Sequence, residues 1–284
     1  MPQRLYFMRH GERADNVWKT FVDLSFDSEG NYVPQDINFP KEIPKRTDGY
    51  KNFAMDPPLT EVGAFTSTLL GREYKHKGIK IHRVYSSPPL RCVQTAAAFI
   101  KGYGDDVELC IETGLFEYMT HKVYEKGHPS WMTMQDFKDA GYSIKETEQI
   151  IKGDELRYGE SYDELYERSH KMVKALLERH PDENLMCIGH GITMECCTRL
   201  LTGKQPRSDE HRLHILLHSS YCANLEVVGK EDGTFEITGC PVRQLKVSPV
   251  DPFDSSVYFL NEEEIEEDIK RKVDLYRKYK AILE

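Results

Sequence analysis

Two apolar segments of this chain end in the same way. Leu5-Tyr6-Phe7-Met8-Arg9-His10-Gly11 and Leu185-Met186-Cys187-Ile188-Gly189-His190-Gly191 each run as a near-continuous apolar stretch into His-Gly. Near-continuous apolar runs of this length suit strands buried on both faces, as in a parallel sheet covered by helices. In an open parallel sheet, ligands bind at the carboxyl ends of the strands. Both histidines belong at that edge, side by side if the strands are neighbours, and the glycines let backbone and ligand approach closely.

The rest of the chain fits an α/β fold with a largely parallel sheet. Strands are expected at Arg4–Met8, His82–Ser86, Val107–Ile111 and Leu185–Ile188, with a hairpin of Cys222–Val228 and Thr234–Thr238. A helix is expected from about Glu61 to Lys75, capped by Thr60, with Val62, Phe65 and Leu69 as its apolar face. The next is expected to begin at Ser87 with Pro88 in the first helical position, burying Leu90, Val93, Ala97 and Ile100. Ser161 and Glu164 form a capping box for a third helix, whose buried face is Leu165, Ser169, Met172, Val173 and Leu176. A helix follows the Leu185 strand to about Leu201. A last one, about 261–284, is acidic first and basic last, with Ile265, Ile269, Val273 and Tyr276 as a stripe. It is expected to pack on the domain surface.

Two stretches fit no element. Trp18–Pro58 is too long for a simple connection, and its aromatics (Phe21, Phe26, Tyr32, Phe39, Tyr50, Phe53) give it something to pack with. Residues 112–158 read as a second, loop-rich excursion. Both are expected to wall a ligand pocket. No repeat or low-complexity tract is present, so residues 1–284 are read as one domain carrying these insertions.

Composition narrows the function classes. Lys plus Arg is 38 and Asp plus Glu is 47, a net charge of −9, which disfavours general nucleic-acid binding. No apolar run is long enough for an ordinary membrane span, and no signal-peptide pattern opens the chain. Seven cysteines, an odd count without a CxxC, read as reduced and mostly buried thiols of a cytosolic protein. The Cys196-Cys197 pair reads as helix packing.

The chemistry-bearing residues cluster by type. Arg9 and Arg13 flank His10, and Arg91 falls in the first turn of a helix, an unfavourable place for a cation that a bound anion would relieve. Guanidinium forks neutralise phosphate oxygens bidentately, and a neutral imidazole can attack phosphorus. The departing oxygen then needs a proton, for which Glu117, in an apolar setting beyond the third strand, is the candidate acid. No metal-ligand spacing and no cofactor motif is present.

These segments resemble the signature of the histidine phosphatase (phosphoglycerate-mutase-like) superfamily. Residues 5–13 (LYFMRHGER), 86–96 (SSPPLRCVQTA), 114–117 (GLFE), 159–162 (GESY) and His190 occur in the family's order. The Arg-His-Gly-Glu-Arg form and the long insertion are similar to one branch. That branch holds the phosphatase domains of the suppressor-of-T-cell-receptor-signalling (ubiquitin-associated and SH3-containing) proteins and the insect ecdysteroid-phosphate phosphatases. The likeness covers most of residues 4–245.

The resemblance implies a three-layer fold with a mostly parallel central sheet. It implies His10 as nucleophile, Arg9, Arg13, Arg91 and His190 as phosphoryl ligands, Glu117 as proton donor, no metal and a homodimer. The expected partner is a small phosphorylated substrate or a phosphotyrosine peptide. A flat or steroid-like leaving group would suit the aromatic excursions. The chain is expected to be a lone catalytic domain without the UBA and SH3 modules, so no role in receptor signalling is expected to carry over. Gly189-His190-Gly191 is closer to the general superfamily than to the branch. Two alternatives stand beside hydrolysis: a phosphoglycerate-type mutase, against which Arg13 argues, and a non-catalytic phosphate-binding or dimerisation module.

Overall fold

The computed structural model describes residues 2–119, 129–243 and 255–283. Its centre is a seven-stranded sheet in the order β4-β3-β2-β5-β1-β6-β7. The strands are β1 (Arg4–Arg9), β2 (Arg83–Ser86), β3 (Glu108–Ile111), β4 (Ile144–Lys145), β5 (Leu185–Gly189), β6 (Asn224–Gly229) and β7 (Phe235–Gly239). β1 to β5 are parallel, and β6 and β7 add an antiparallel edge.

The alternation of side chains across a strand sends β1 into two cores. Leu5 and Phe7 enter one, with Met172, Val173 and Leu176 of α6 (Tyr162–Arg179), Met194 and Cys197 of α7 (Gly191–Arg199), and Ile215 of α8 (Asp209–His218). Tyr6 and Met8 enter the other, with Leu70 and Tyr74 of α3 (Glu61–His76) and Val93, Ala96 and Phe99 of α4 (Leu90–Tyr103). Helices therefore cover both faces, the three-layer α/β arrangement expected. α9 (Glu262–Leu283) packs through buried Ile265, while Val273 is exposed. The side chain of Tyr276 lies outside the described residues. No helix among the described residues is long and apolar enough to cross a membrane.

Several expectations are corrected in detail. α4 starts at Leu90, with Pro89 as its N-cap residue and extended (φ −57, ψ 143). Two successive prolines hold Ser87 and Pro88 outside the helix. Ala97 and Ile100 are only half-buried; Phe99 and Tyr103 take the inner face. α3 has the predicted Thr60 cap, but its inner face is Gly63, Ser67, Leu70, Gly71 and Tyr74, and Phe65 is 60% exposed. The reason is close helix packing. A Cβ on Gly71 would lie 2.0 Å from the Phe99 carbonyl oxygen, and one on Gly102 1.9 Å from that of Thr68. Backbone meets backbone here, and bulkier α3 residues are turned outward.

The two excursions are ordered where described. The first holds α1 (Ala14–Val17), α2 (Phe21–Ser25) and a 3-10 turn at Tyr50–Ala54. Trp18 and Phe21 pack on Phe39, and Phe26 stacks on Tyr50 and Phe53. The second is less irregular than its sequence suggests. It contributes β4 and α5 (Met134–Asp139), the latter opened by a Thr133/Asp136 capping box. Asp136 also accepts from the Thr47 N–H, and Arg46 donates to the Ser130 carbonyl, so the excursions brace one another.

Candidate active site

β1 and β5 lie side by side in register, Arg9 opposite Gly189, and the His10 N–H donates to the Gly189 carbonyl at 2.9 Å. The two histidines consequently leave the sheet together. Their rings meet edge to face with centroids 5.4 Å apart, and each residue is 2% exposed. The glycines permit this crowding. A Cβ on Gly11 would sit 2.7 Å from the Gly63 carbonyl oxygen, and one on Gly191 2.4 Å from Ser219 Oγ.

Each imidazole has a defined tautomer. His10 Nδ1 lies 2.8 Å from the Gly11 carbonyl oxygen, an acceptor only, so Nδ1 carries the proton and Nε2 keeps its lone pair. Burial, and then the charges of Arg91, Arg9, His190 and Arg13, hold the His10 pKa well below its ordinary value. His190 accepts from Arg91 Nη2 at 3.3 Å through Nδ1 and reaches Ser87 Oγ at 3.0 Å through Nε2. Burial and the same arginines lower it too. Both rings are neutral at pH 7.

The arginines surround this pair. Arg9 donates through Nη1 to the carbonyl (and, at 3.0 Å, the hydroxyl) of Ser219. Arg91, buried, ion-pairs with Glu117. The Nε donors of Arg9 and Arg91 are buried and make no hydrogen bond among the described residues, and a buried cationic donor favours an anionic acceptor. Arg13 is near enough to depress both histidines, but its Nε and Nη2 are held by Asp15 at 2.7 and 2.6 Å.

Glu117 arrives from β3 through a 3-10 turn at Thr113–Leu115. Buried Glu112 fixes that turn by accepting the N–H groups of Gly114, Ile150 and Ile151. Glu117 Oε1 is 3.7 Å from His190 Nδ1, and Phe116 lies 5.6 Å from the His190 ring. Its setting is thus an arginine and a histidine rather than the apolar one expected from sequence.

The structure brings all six predicted residues to one end of the β1/β5 pair. Sequence reasoning missed several neighbours. Ser87 reads as the start of a helix yet lies ahead of it and bonds His190. Asp56 accepts the Leu90 N–H at 2.8 Å and pairs with Arg46, so the anion at the α4 N-terminus is supplied from within the chain. Tyr221 lies 5.8 Å from the His10 ring and 4.8 Å from the Arg9 guanidinium, in a turn just before β6. Only the Ser86-Ser87-Pro88-Pro89 segment carried any sequence signal.

Comparison with known proteins gives the family. The histidine phosphatase superfamily (branch 1) pattern matches residues 45–237. This chain belongs to the histidine phosphatase superfamily. An ecdysteroid-phosphate phosphatase of Drosophila melanogaster is 33% identical over 240 residues, 83% of this chain and 31% of its own length. The ubiquitin-associated and SH3 domain-containing protein B of Homo sapiens is 30% identical over 262 residues, 89% of this chain and 40% of its own. This chain therefore spans well under half the length of these curated relatives. The crystal structure of the ecdysone phosphate phosphatase of Bombyx mori in complex with tungstate superposes with a TM-score of 0.78 at 29% identity. The match covers 89% of this chain and 98% of that one, and the shared fold is phosphoglycerate-mutase-like.

Proposed function

We propose that this chain is a phosphatase that hydrolyses phosphate monoesters through a covalent phosphohistidine on His10. One observation carries the proposal: a neutral imidazole, its Nδ1 tied to the Gly11 carbonyl, with Arg9, Arg13, Arg91 and His190 around it. The Nε2 lone pair attacks phosphorus while the ester P–O bond breaks. The arginines balance the phosphoryl oxygens. The departing oxygen takes a proton from Glu117. A dianion arriving at Arg91 takes over the guanidinium that Glu117 holds, and its charge favours the protonated carboxyl. Water then attacks phosphorus and gives its proton to Glu117. The P–N bond breaks, phosphate leaves, and the imidazole is returned neutral.

The test is hydrolysis of p-nitrophenyl phosphate. His10→Ala is expected to abolish it, and rapid quench of wild type to trap an acid-labile phosphoenzyme. Turnover by His10→Ala at the wild-type rate would refute the proposal. The relatives named for ecdysteroid phosphates support a bulky apolar leaving group, with phosphotyrosine as the peptide counterpart; a higher kcat/KM for sugar phosphates would exclude both. We further propose one catalytic domain with two insertions, a cytosolic location and a homodimer. The continuous sheet supports the first and seven free thiols the second. The apolar α3 face of Phe65 with half-buried Val62 and Leu69 supports the third.

A further inference from the structure

We propose that Tyr221 is a positioning residue of this site, its ring fixing the plane of the Arg9 guanidinium beside His10. The inference rests on the phosphoryl-binding role assigned to Arg9 above. Tyr221 belongs to a short turn between α8 and β6 that wraps the end of β1. Ser219 takes Arg9 Nη1 on its carbonyl and hydroxyl. Two residues later the Tyr221 ring lies with its centroid 4.8 Å from Arg9 Cζ. A guanidinium over an aromatic face is attracted by the ring quadrupole, and more so when water is excluded. With Nη1 committed and one face covered, the Nε–Nη2 edge remains, and Nε is buried without a hydrogen bond among the described residues.

The turn is built to hold that ring. Cys222 has φ +57, the one non-glycine positive φ among the described residues. Such backbone is costly and persists where its surroundings fix it. Here the Cys222 N–H donates to the His10 carbonyl at 3.3 Å, and its sulfur sits 3.6 Å from the hydroxyls of Thr66 and Ser67. The free end is pinned as well, since Asn16 Nδ2 donates to the Tyr221 hydroxyl at 2.5 Å. The ring therefore links β1, the α1 segment and the α8–β6 turn at the one point where Arg9 and His10 adjoin. Arg9 ends β1 and His10 follows it directly; both side chains lie within 6 Å of this ring, which gives it leverage over their relative placement.

The test compares Tyr221→Phe with Tyr221→Leu in the full chain. Tungstate affinity is read by calorimetry, kcat/KM on p-nitrophenyl phosphate, and folding by thermal melt. Leu is expected to weaken both tungstate binding and kcat/KM roughly 2- to 30-fold, the span of a cation–π contact. Phe should stay within about twofold of wild type on both. A purely structural role would lower Tm without this split. Wild-type affinity in the Leu variant overturns the proposal, as does an equal loss in Phe, which would place the effect in the hydroxyl. If Leu does not fold, Tyr221→Met makes the same comparison. Wild-type protein that binds tungstate but hydrolyses no ester sinks the hydrolase proposal alone, and Tyr221 is then judged on affinity.

Discussion

Gly71→Ala sets two known effects against each other. In an isolated helix it would stabilise α3 by about 1 kcal/mol, because glycine is a poor helix former. In this fold the new Cβ would lie 2.0 Å from the Phe99 carbonyl oxygen and 2.8 Å from the Tyr103 nitrogen. Both are backbone atoms, so no rotamer change relieves the contact. Ordinary contact begins at 3.4 Å, so α3 and α4 must part by about 1.4 Å along that line. Overpacking of this kind costs roughly 1–3 kcal/mol, and an unyielding backbone contact belongs at the upper end. The net expectation is a loss of about 2 kcal/mol, or roughly 4–8 °C in Tm for a chain of this size. Function should suffer separately. α4 carries Arg91 at its first turn, and a misplacement of ~1 Å can cost about 100-fold. Activity on p-nitrophenyl phosphate, assayed well below the melt, should fall by roughly one to two decades. An unchanged or raised Tm with unaltered kcat/KM would refute the packing account.

Other outcomes follow from the buried groups. Asp56→Asn removes one partner of a buried ion pair while Asp48 still holds Arg46, so a loss of about 3 kcal/mol and roughly 6–12 °C is expected; a melt within about 2 °C of wild type contradicts it. Under the proposed mechanism His10 must be unprotonated, and its pKa lies well below 6.5, so kcat/KM, corrected for substrate ionisation, should hold as pH falls through ~6; an acid limb at 6.5 or above would mean the ring is solvated. The same depression affects stability with a definite sign. Below ~6.5 the unfolded chain binds protons that buried His10 and His190 refuse, so stability is lost as pH falls, by up to about 1.4 kcal/mol per pH unit per ring. Urea denaturation at pH 7 and 5.5 should show a shallower loss in His10→Asn than in wild type.

The parts legible in the sequence were those written in local pattern. The His10 and His190 strands announced themselves because strands buried on both faces must be apolar throughout, and the α6 capping box lies within four residues. The α3 face was misread because apolar periodicity rewards Val62, Phe65 and Leu69, whereas the helix packs through glycines whose contribution is the absence of a side chain. α8 carries no wide apolar stripe; Leu213 and Leu217 face outward while His211 and His214 are buried against acidic residues of α9. Asp56 and Tyr221 were invisible for another reason. Their partners, Leu90 and Arg9, are 34 and 212 residues away, and only the sheet brings them together.

The His10 N–H to Gly189 carbonyl bond ties the spacing of the two imidazoles to the sheet ladder rather than to the loops around it. The imidazole separation is a property of neighbouring strand ends, whereas the two braced excursions enter the chain elsewhere and touch the imidazoles chiefly through Phe116 and Glu117. The spacing of the two rings is therefore expected to survive remodelling of the first excursion, whose residues lie outside the β1–β5 ladder.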